Sequence, residues 1–341
     1  MVRLVLAPAP MRRVIVLGAG LFGLVIASRL TQRGIAPLMA SRSGHDLQLD
    51  AEDESSIRAA LRSGDVIVDA AGPFALRTTR LVRVALERGC DVIDIAESLA
   101  WSESLLALGQ RAVDAGISLY PACSAIAAVA GACVRASALA TATEVDIYLA
   151  PASADTASSG TAHGLLASVG RPIRTLRDGQ LRSVRGYLER RAFPSSGRRG
   201  GIVEHAGAAL LPRSWPSIRR AEFWVDPNAP MARVGLAAAA RVPALAALAR
   251  TVGPVIGPGP MARHDGEFAV EVRDATRQRT YVFSAERFSY LVAVEPAVIA
   301  AEALARGVSV QAGVILPHAQ VDPEELFTRL RALGIDIAVS A

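Results

Sequence analysis

The sequence contains no lysine, so all 37 of its basic residues are arginines. An arginine guanidinium stays protonated at neutral pH, and it neither forms a Schiff base nor acts as a general base. The absence of lysine therefore excludes covalent catalysis through a lysine imine and proton abstraction by a lysine amine.

Cysteine is also scarce, because the chain has only Cys90, Cys123 and Cys133. Their number is odd and their spacing fits neither a disulfide framework nor a metal site, so we expect no metal and a reducing, cytoplasmic location. No apolar run reaches the ~18 uninterrupted residues of a membrane span. The nearest run, 234–256, is interrupted by Arg241 and Arg250, so we expect no membrane partner.

What the chain does contain is the composition of a globular protein, with 51% hydrophobic and 20% charged residues over 341 positions. This length allows two domains. The net charge is +5, and residues 171–220 carry twelve arginines against Asp178, Glu189 and Glu204. Either these arginines lie on a solvated sheet face, or they form a site for an anionic substrate or a carrier protein. We expect no nucleic-acid partner, because few aromatic residues lie among them.

The most informative segment follows an apolar run at 14–17, which predicts a strand buried on both faces. A glycine-rich turn comes next and leads into a pattern of helical spacing that ends at Gly34. In dinucleotide-binding domains, such glycines permit a tight turn, let the backbone approach the pyrophosphate and let the helix pack on the strand. The predicted cofactor-binding residues here are Gly18, Ala19, Gly20, Leu21, Phe22 and Gly23.

The end of the second predicted strand favours NADP over NAD. An acidic residue there usually binds the ribose hydroxyls of NAD, whereas this chain has Ser41, Arg42 and Ser43. A guanidinium can hold a 2′-phosphate, and serine hydroxyls can donate to it. The alternative is that Arg42 is merely exposed. Asp50, which closes the third strand, is predicted to meet the adenine edge.

Strands and helices alternate from residue 12 to residue 120, which predicts an α/β fold with a Rossmann-type, doubly wound parallel sheet. The chain segments that follow the fourth, fifth and sixth strands should meet at the carboxyl edge, where ligands bind. Asp94 and Glu97 are candidate polar groups near the nicotinamide, or else they cap a helix or bond within a loop. The residues predicted to line the cofactor at this edge are Ala71, Gly72, Pro73, Phe74 and Glu97.

After Pro121 the pattern becomes α+β, and strand-like stretches with a hairpin signal at 274–276 predict an antiparallel or mixed sheet. Beyond Tyr290 the αβ pattern returns. We therefore expect a Rossmann domain over 11–123, an inserted central substrate or dimerisation domain over 124–288, and a C-terminal segment over 289–341 that rejoins the Rossmann domain.

Several motifs together resemble the saccharopine dehydrogenase-like NADP-binding oxidoreductase family. They are the GAGLFG turn, the Ser-Arg pair, Asp-Ala-Ala-Gly-Pro-Phe at 69–74, Val-Ile-Asp-Ile at 92–95 and Tyr-Pro-Ala-Cys at 120–123. The resemblance implies NADP binding, a discontinuous Rossmann domain and a central mixed sheet that mediates a homodimer. The chain departs from the family after Cys123, where no acidic residue follows, so saccharopine is not the expected substrate.

We therefore expect an NADP-dependent oxidoreductase that transfers hydride to or from a C=N or C=O carbon of a small, anionic substrate. The candidate catalytic residues are His163, Glu97 and Tyr120, because each can carry a proton and is predicted near the cleft. His205 and Cys123 are weaker candidates. Two alternatives stay open: a trans-acting enoyl reductase on an acyl chain, with a carrier protein as partner, and a non-catalytic NADP-binding protein.

Overall fold

The computed structural model describes residues 11–156, 159–256, 263–308 and 310–341. Its first sheet is built on the apolar run at the start, which forms β1, Val14–Leu17, with all four residues buried. The other strands of this sheet are β2 (Leu38–Ser41), β3 (Leu47–Gln48), β4 (Val66–Asp69), β5 (Asp91–Asp94), β6 (Ser118–Tyr120) and β15 (Gly313–Val314).

The strand order in the first sheet is β15-β6-β5-β4-β1-β2-β3, and every pair is parallel. The chain leaves β1 in one direction and returns to β4 on its other side, so the order reverses between β1 and β4. Ligands of such sheets bind at this reversal point, outside the carboxyl ends of the strands. The predicted α/β class with a Rossmann-type sheet is confirmed.

Helices cover both faces of the first sheet, as its alternating pattern predicted. The helices that directly follow its strands are α1 (Leu21–Gln32), α2 (Glu54–Ala60), α3 (Arg80–Arg88), α4 (Leu99–Leu106) and α5 (Gly109–Asp114). The sequence pattern predicts one helix over 102–115, and this prediction is wrong, because the helical segment starts at Leu99 and breaks into α4 and α5. The Ser98 hydroxyl caps α4 by accepting from the Trp101 backbone N–H, and Gly109 starts α5 where an added Cβ would lie 3.4 Å from Val314 of β15.

A second, mixed sheet follows in the chain. Its main path runs β10-β11-β12-β7-β13-β14-β16, with the β8–β9 hairpin attached to β12. Among its described strands, only the β12–β7 pair is parallel. Its strands are β7 (Glu144–Ala150), β8 (Pro172–Arg177), β9 (Gln180–Arg185), β10 (Arg190–Ala192), β11 (Arg199–Val203), β12 (Arg220–Val225), β13 (Gly266–Arg273), β14 (Gln278–Ala285) and β16 (Asp336–Ser340).

The sequence pattern predicts strands in this sheet at 144–150, 181–188, 221–225, 268–272 and 280–283, and it misses β8, β10 and β11. In β11 the reason is a pair of glycines, which usually weakens a strand assignment. An added Cβ would lie 2.9 Å from the Phe193 ring at Gly200 and 2.6 Å from the Tyr187 ring at Gly201. The glycines are therefore needed because two aromatic side chains pack directly over the strand.

The remaining helices flank the second sheet or connect the two sheets. A π-helical turn at Ala125–Val129 leads into the first of them. They are α6 (Ala130–Ala136), α7 (Ser153–Thr156), α8 (Ser159–Leu166), α9 (Gly207–Ser214), α10 (Pro230–Ala239), α11 (Pro243–Ile256), α12 (Leu291–Ala305), α13 (Pro317–Gln320) and α14 (Pro323–Ala332).

The C-terminal segment contacts both sheets. Helix α12 packs on α1, where Glu295 accepts from Arg29 at 3.2 Å and Glu302 from Arg33 at 3.0 Å, and β15 extends the first sheet. The last strand, β16, instead pairs with β14 of the second sheet, which the expected return to the Rossmann domain did not include. The division at residues 123 and 288 stays a proposal.

Candidate functional site

The glycine turn lies at the reversal point of the first sheet and has one open side. Gly18 has φ +109°, and an added Cβ there would lie 2.8 Å from the Ala70 carbonyl; at Gly23 it would lie 1.8 Å from the Gly18 oxygen. Side chains at these two positions would therefore separate β1, α1 and the loop after β4. An added Cβ at Gly20 meets nothing within 4 Å, so this glycine leaves room on the solvent side.

The N-terminus of α1 faces the same open side. It has no side-chain cap, so its first backbone N–H groups are left for another acceptor, and the helix dipole favours an anion there. Ala19 is exposed, while Leu21 and Phe22 are partly buried. The turn thus has the space and the donors that a pyrophosphate needs, and its fit to a dinucleotide is good.

The loop after β2 presents Arg42 to solvent. Within the described residues, no carboxylate or carbonyl pairs with the Arg42 guanidinium. Asp46, the nearest acid in sequence, instead accepts from the Met39 backbone N–H at 2.8 Å. The Ser41 hydroxyl donates to the Gly44 carbonyl at 2.7 Å and lies 3.3 Å from the Ser43 hydroxyl. The loop therefore offers an unpaired cation and serine hydroxyls, which suits a phosphate.

Asp50 lies at the outer end of this edge. One of its carboxylate oxygens accepts from the Glu52 backbone N–H at 2.9 Å, so the side chain closes a tight loop. Glu52, which the sequence did not single out, accepts from the Thr78 backbone N–H at 2.9 Å and thereby ties this loop to the start of α3. Part of the role of Asp50 is therefore structural, and its contact with the adenine edge stays a prediction.

The loop after β4 contains Ala71, Gly72, Pro73 and Phe74. Gly72 is exposed and Ala71 partly so, and the Gly72–Pro73 peptide bond is cis. Phe74 differs from the other three because it is 3% exposed and its ring packs against Trp101 at 5.4 Å between centroids. Its ring therefore belongs to the core, and only the first three residues border the open edge.

The two acidic residues after β5 occupy different environments. Asp94 is fully buried, and its carboxylate accepts from the Ala96 and Ala122 backbone N–H groups at 2.9 and 2.8 Å and from the Trp101 indole at 3.1 Å. Burial raises the pKa of Asp94 to about 7 although these donors favour the anion. Asp94 therefore connects the loops that follow β5 and β6 by hydrogen bonds. This agrees with the alternative that Asp94 bonds within a loop.

Glu97 lies at the carboxyl edge of the first sheet, where it contacts Ala206 and helix α8. Its backbone carbonyl accepts from the Ala206 N–H at 2.8 Å, and an added Cβ at Gly164 would lie 2.8 Å from its Oε1 atom. Helix α8 therefore packs directly on the carboxyl group. Burial raises the pKa of Glu97. Apart from its own backbone N–H, no described group bonds to this carboxylate, which leaves it available to a ligand.

Tyr120 does not border an open cleft. Tyr120 is 3% exposed, it pairs with Ile93 of β5 within the hydrophobic core, and burial raises its pKa. Residues 121–124 are buried as well, and burial raises the pKa of the Cys123 thiol. The expectation that these residues line the cleft does not agree with their burial. The segment after β6 lies inside the protein, where the Gln320 side chain of α13 donates to the Pro121 carbonyl at 2.7 Å.

The two histidines differ in environment. His163 is exposed on α8, one residue before the glycine that lies against Glu97, and its catalytic role stays a prediction. His205 is fully buried, with Nε2 at 3.2 Å from the Ala221 carbonyl, and burial lowers its pKa to about 4. A neutral, buried imidazole that bonds to a strand backbone is a structural residue.

The arginine-rich stretch lies mainly on the second sheet, next to a groove of about 800 Å³. Half of its twelve arginines form ion pairs with carboxylates. These are Arg174 with Glu103, Arg177 with Glu189 and Glu222, Arg182 with Asp178, Arg191 with Asp146, Arg198 with Asp265, and Arg220 with Glu144 and Asp146. Paired guanidiniums have little capacity left for an anionic ligand, so this pattern supports the sheet-face interpretation.

The sequence also missed Arg77, which is buried beneath the loop after β4. Its Nη1 atom lies 2.8 Å from both carboxylate oxygens of Asp69, and the Asp69 side chain is inaccessible to solvent. An arginine eight residues beyond the acid that ends a buried strand is the only sequence signal for this pair. That spacing alone does not indicate a contact.

Comparison with known proteins bears on the first sheet. Residues 14–120 match the family model described as the saccharopine dehydrogenase NADP binding domain. These residues run from the first position of β1 to the last of β6, so the expected resemblance is confirmed for this part of the chain. The "Lipid droplet localized protein" of Caenorhabditis elegans is 31% identical over 75 residues, which are 22% of this chain and 18% of that protein. The match thus spans less than a fifth of that relative.

Two solved structures show likeness over most of the chain at low identity. GenD2 from gentamicin A biosynthesis, in complex with NAD, is 14% identical, with 98% of each chain covered and a TM-score of 0.43. The DAP dehydrogenase of C. glutamicum, in complex with DAP, is 11% identical, with 94% of this chain and 98% of that chain covered and a TM-score of 0.44.

The family match and the open glycine turn agree on a nicotinamide dinucleotide as the cofactor, and such domains belong to oxidoreductases. In the described ranges, no helix is long and apolar enough to cross a bilayer.

Proposed function

We propose that the protein is an NADP-dependent oxidoreductase that transfers hydride to or from a C=N or C=O carbon of a small, anionic substrate. The observation that carries the proposal is the open glycine turn after β1 beside the unpaired Arg42 after β2. A pyrophosphate fits the N-terminus of α1, and a 2′-phosphate would give Arg42 the anionic partner that the described residues do not supply.

The residues that would hold NADP follow from this placement. Gly18–Gly23 would border the pyrophosphate, Arg42 with its neighbouring serines the 2′-phosphate, and Asp50 the adenine rim. The Ala71–Pro73 loop would support the half of the dinucleotide that extends towards β4 and β5. When bound, the nicotinamide supplies or accepts the hydride, and the protein supplies orientation and protons.

Glu97 is the acid that this arrangement supports best. A group that donates a proton at neutral pH needs a pKa near that pH, and desolvation of a carboxyl group moves its pKa in this direction. The Glu97 carboxyl lies at the boundary with α8, close to the carboxyl end of β5, and is able to protonate a nitrogen or oxygen of the substrate from Oε1 or Oε2. Helix α8 covers part of the carboxyl group and so shields that part from bulk water.

Glu97→Gln tests this assignment. We expect kcat to fall by ~100-fold or more, because general acid catalysis contributes ~10²–10⁴-fold, while the Kd for NADPH changes less than about twofold. Turnover is followed as NADPH oxidation against imine and carbonyl substrates. The loss of activity of the wild type at alkaline pH should be absent from the residual activity of the variant.

The matched control is Glu103→Gln, which removes a carboxylate of α4 that pairs with Arg174 at 2.8 Å and should leave kcat within about twofold. Unchanged turnover in Glu97→Gln would exclude Glu97 as the acid and leave His163 as the next candidate. Enoyl-thioesters belong in the same substrate panel, because their turnover would favour the enoyl-reductase alternative. Binding of NADPH without turnover of any member would favour the non-catalytic alternative.

A further inference from the structure

Arg77 is a buried cation at the edge of the proposed cofactor site, and it contacts the loop that borders that site. Its side chain is 9% exposed. Besides its bonds to Asp69, Nη1 donates to the Ala71 carbonyl at 3.0 Å. Asp69 in turn accepts from the Ala71 backbone N–H at 3.1 Å. The pair therefore holds Ala71 by both its carbonyl and its amide.

The guanidinium is only partly satisfied by its surroundings. Its Nε and Nη2 atoms are buried and have no hydrogen-bond partner in the described part of the chain, and Glu52 Oε1 lies 3.7 Å from Nε. The rings of Phe74 and Trp101 lie 5.4 and 5.3 Å from the cation, which offsets part of the cost of burying it. A buried ion pair adds little stability compared with apolar residues of similar size, so stability alone explains this arrangement poorly.

The loop held by Arg77 determines the shape of the glycine turn. The Ala70 carbonyl group lies so close to Gly18 that an added Cβ would be 2.8 Å away, and the Ala70 N–H donates to the Leu17 carbonyl at 2.8 Å. A shift of the loop by even a few tenths of an ångström therefore changes the space beneath a dinucleotide. We propose that Arg77 is a positioning residue, which fixes the 70–73 loop against Gly18 in the conformation that binds the dinucleotide. This inference rests on the proposed function for the identity of the ligand.

Three variants separate positioning from simple charge compensation: Arg77→Met, Asp69→Asn and the double variant. Arg77→Met leaves the Asp69 carboxylate buried without its cation, so we expect a lower Tm and an NADPH Kd raised by at least about tenfold. The double variant buries no charge, so its Tm should recover towards that of the wild type. Its NADPH Kd should stay raised, because nothing then holds the Ala71 carbonyl.

A second readout needs no cofactor. Amide hydrogen exchange of ligand-free protein reports the order of the loop through Ala71 and Gly72, and we expect faster exchange at both in Arg77→Met and in the double variant. Arg77→Lys should lie between wild type and Arg77→Met in both NADPH Kd and amide exchange. A lysine ammonium can restore the ion pair with Asp69, but it cannot restore all the contacts of the guanidinium. The control is Arg80→Met. The Arg80 guanidinium donates to the Glu52 carbonyl at 2.7 Å on the surface, and its loss should leave the NADPH Kd and amide exchange unchanged.

The outcomes are distinct. A double variant that regains both Tm and NADPH affinity would overturn the proposal, since charge compensation would then be the whole role of Arg77. Wild-type exchange rates at Ala71 and Gly72 in Arg77→Met would overturn it as well. A wild type that binds neither NADPH nor NADH would refute the proposed function, whereas the exchange data would still decide whether Arg77 orders the loop.

Discussion

Two arginines, one beside each sheet, have opposite surroundings. At the edge of the first sheet, Arg42 is exposed and has no partner among the described residues. On the second sheet, Arg220 lies 2.6 Å from Glu144 and 2.9 Å from the buried Asp146. Since both side chains carry the same charge, the difference lies in whether the fold supplies a carboxylate. An arginine without one is a candidate for binding an anionic ligand, and a paired arginine is part of the structure.

The largest expected effect tests whether the paired Arg220 stabilises the fold. Arg220→Ala removes one of the cations around Asp146, and we expect the free energy of unfolding to fall by about 2–3 kcal/mol, because a charge buried in the fold loses a partner. Urea denaturation measures this loss. NADPH affinity should stay within about twofold, and a large drop in affinity would show that the second sheet takes part in cofactor binding.

The control for that variant is Arg219→Ala. Arg219 is the preceding residue, and among the described residues its guanidinium donates only to the exposed Asp178 carbonyl. We expect a stability change within about 0.5 kcal/mol, as for most surface substitutions.

The next effect depends on pH and tests whether His205 is structural. Burial lowers its pKa to about 4 from an ordinary value of 6.5, so the unfolded chain binds more protons between these values. Its contribution to stability is therefore complete above pH 6.5 and is lost as the pH falls through that range. We expect a loss of about 2 kcal/mol on going from about pH 7.5 to about pH 5.

His205→Gln should lack this part of the pH dependence, and the difference between its urea-unfolding profile and that of the wild type isolates it. The exposed His45, replaced by glutamine, serves as the control and should leave the profile unchanged. Parallel profiles for wild type and His205→Gln would contradict the assignment of His205 as a neutral core residue.

The smallest expected effect tests whether the unpaired Arg42 binds the 2′-phosphate of NADPH. Arg42→Ala should weaken NADPH binding by at least about tenfold, which is about 1.4 kcal/mol, because a charge-assisted bond to the 2′-phosphate is lost. NADH binding and the Tm should stay unchanged, since the guanidinium has no contact within the described protein. Fluorescence titration with both cofactors measures the ratio.

Arg62→Ala is the matched control, because Arg62 is also exposed but precedes β4 at the opposite edge of the sheet. If the wild type bound NADPH and NADH equally, Arg42 would be an ordinary surface residue and the comparison between the two sheets would lose its basis.

The sequence predicted the first sheet well because its evidence is local. An apolar strand, a glycine turn and an amphipathic helix follow one another within about twenty residues, so their contacts are made by neighbours in the chain. The second sheet was predicted less completely. Gly200 and Gly201 look like a loop, and only the packing of Phe193 and Tyr187 over them explains why they form a strand.

The residues at the site divide in the same way. By itself the sequence determined the α/β class, the glycine turn and the serine–arginine segment after β2, because residue type and position in a strand–turn–helix unit suffice for these inferences. Only the tertiary structure decided that Tyr120 is buried in the core, that α8 packs on Glu97, and that Arg77 holds the loop after β4. Each of these depends on which distant segments pack together, and burial and ion pairing arise from that packing and not from the local chain.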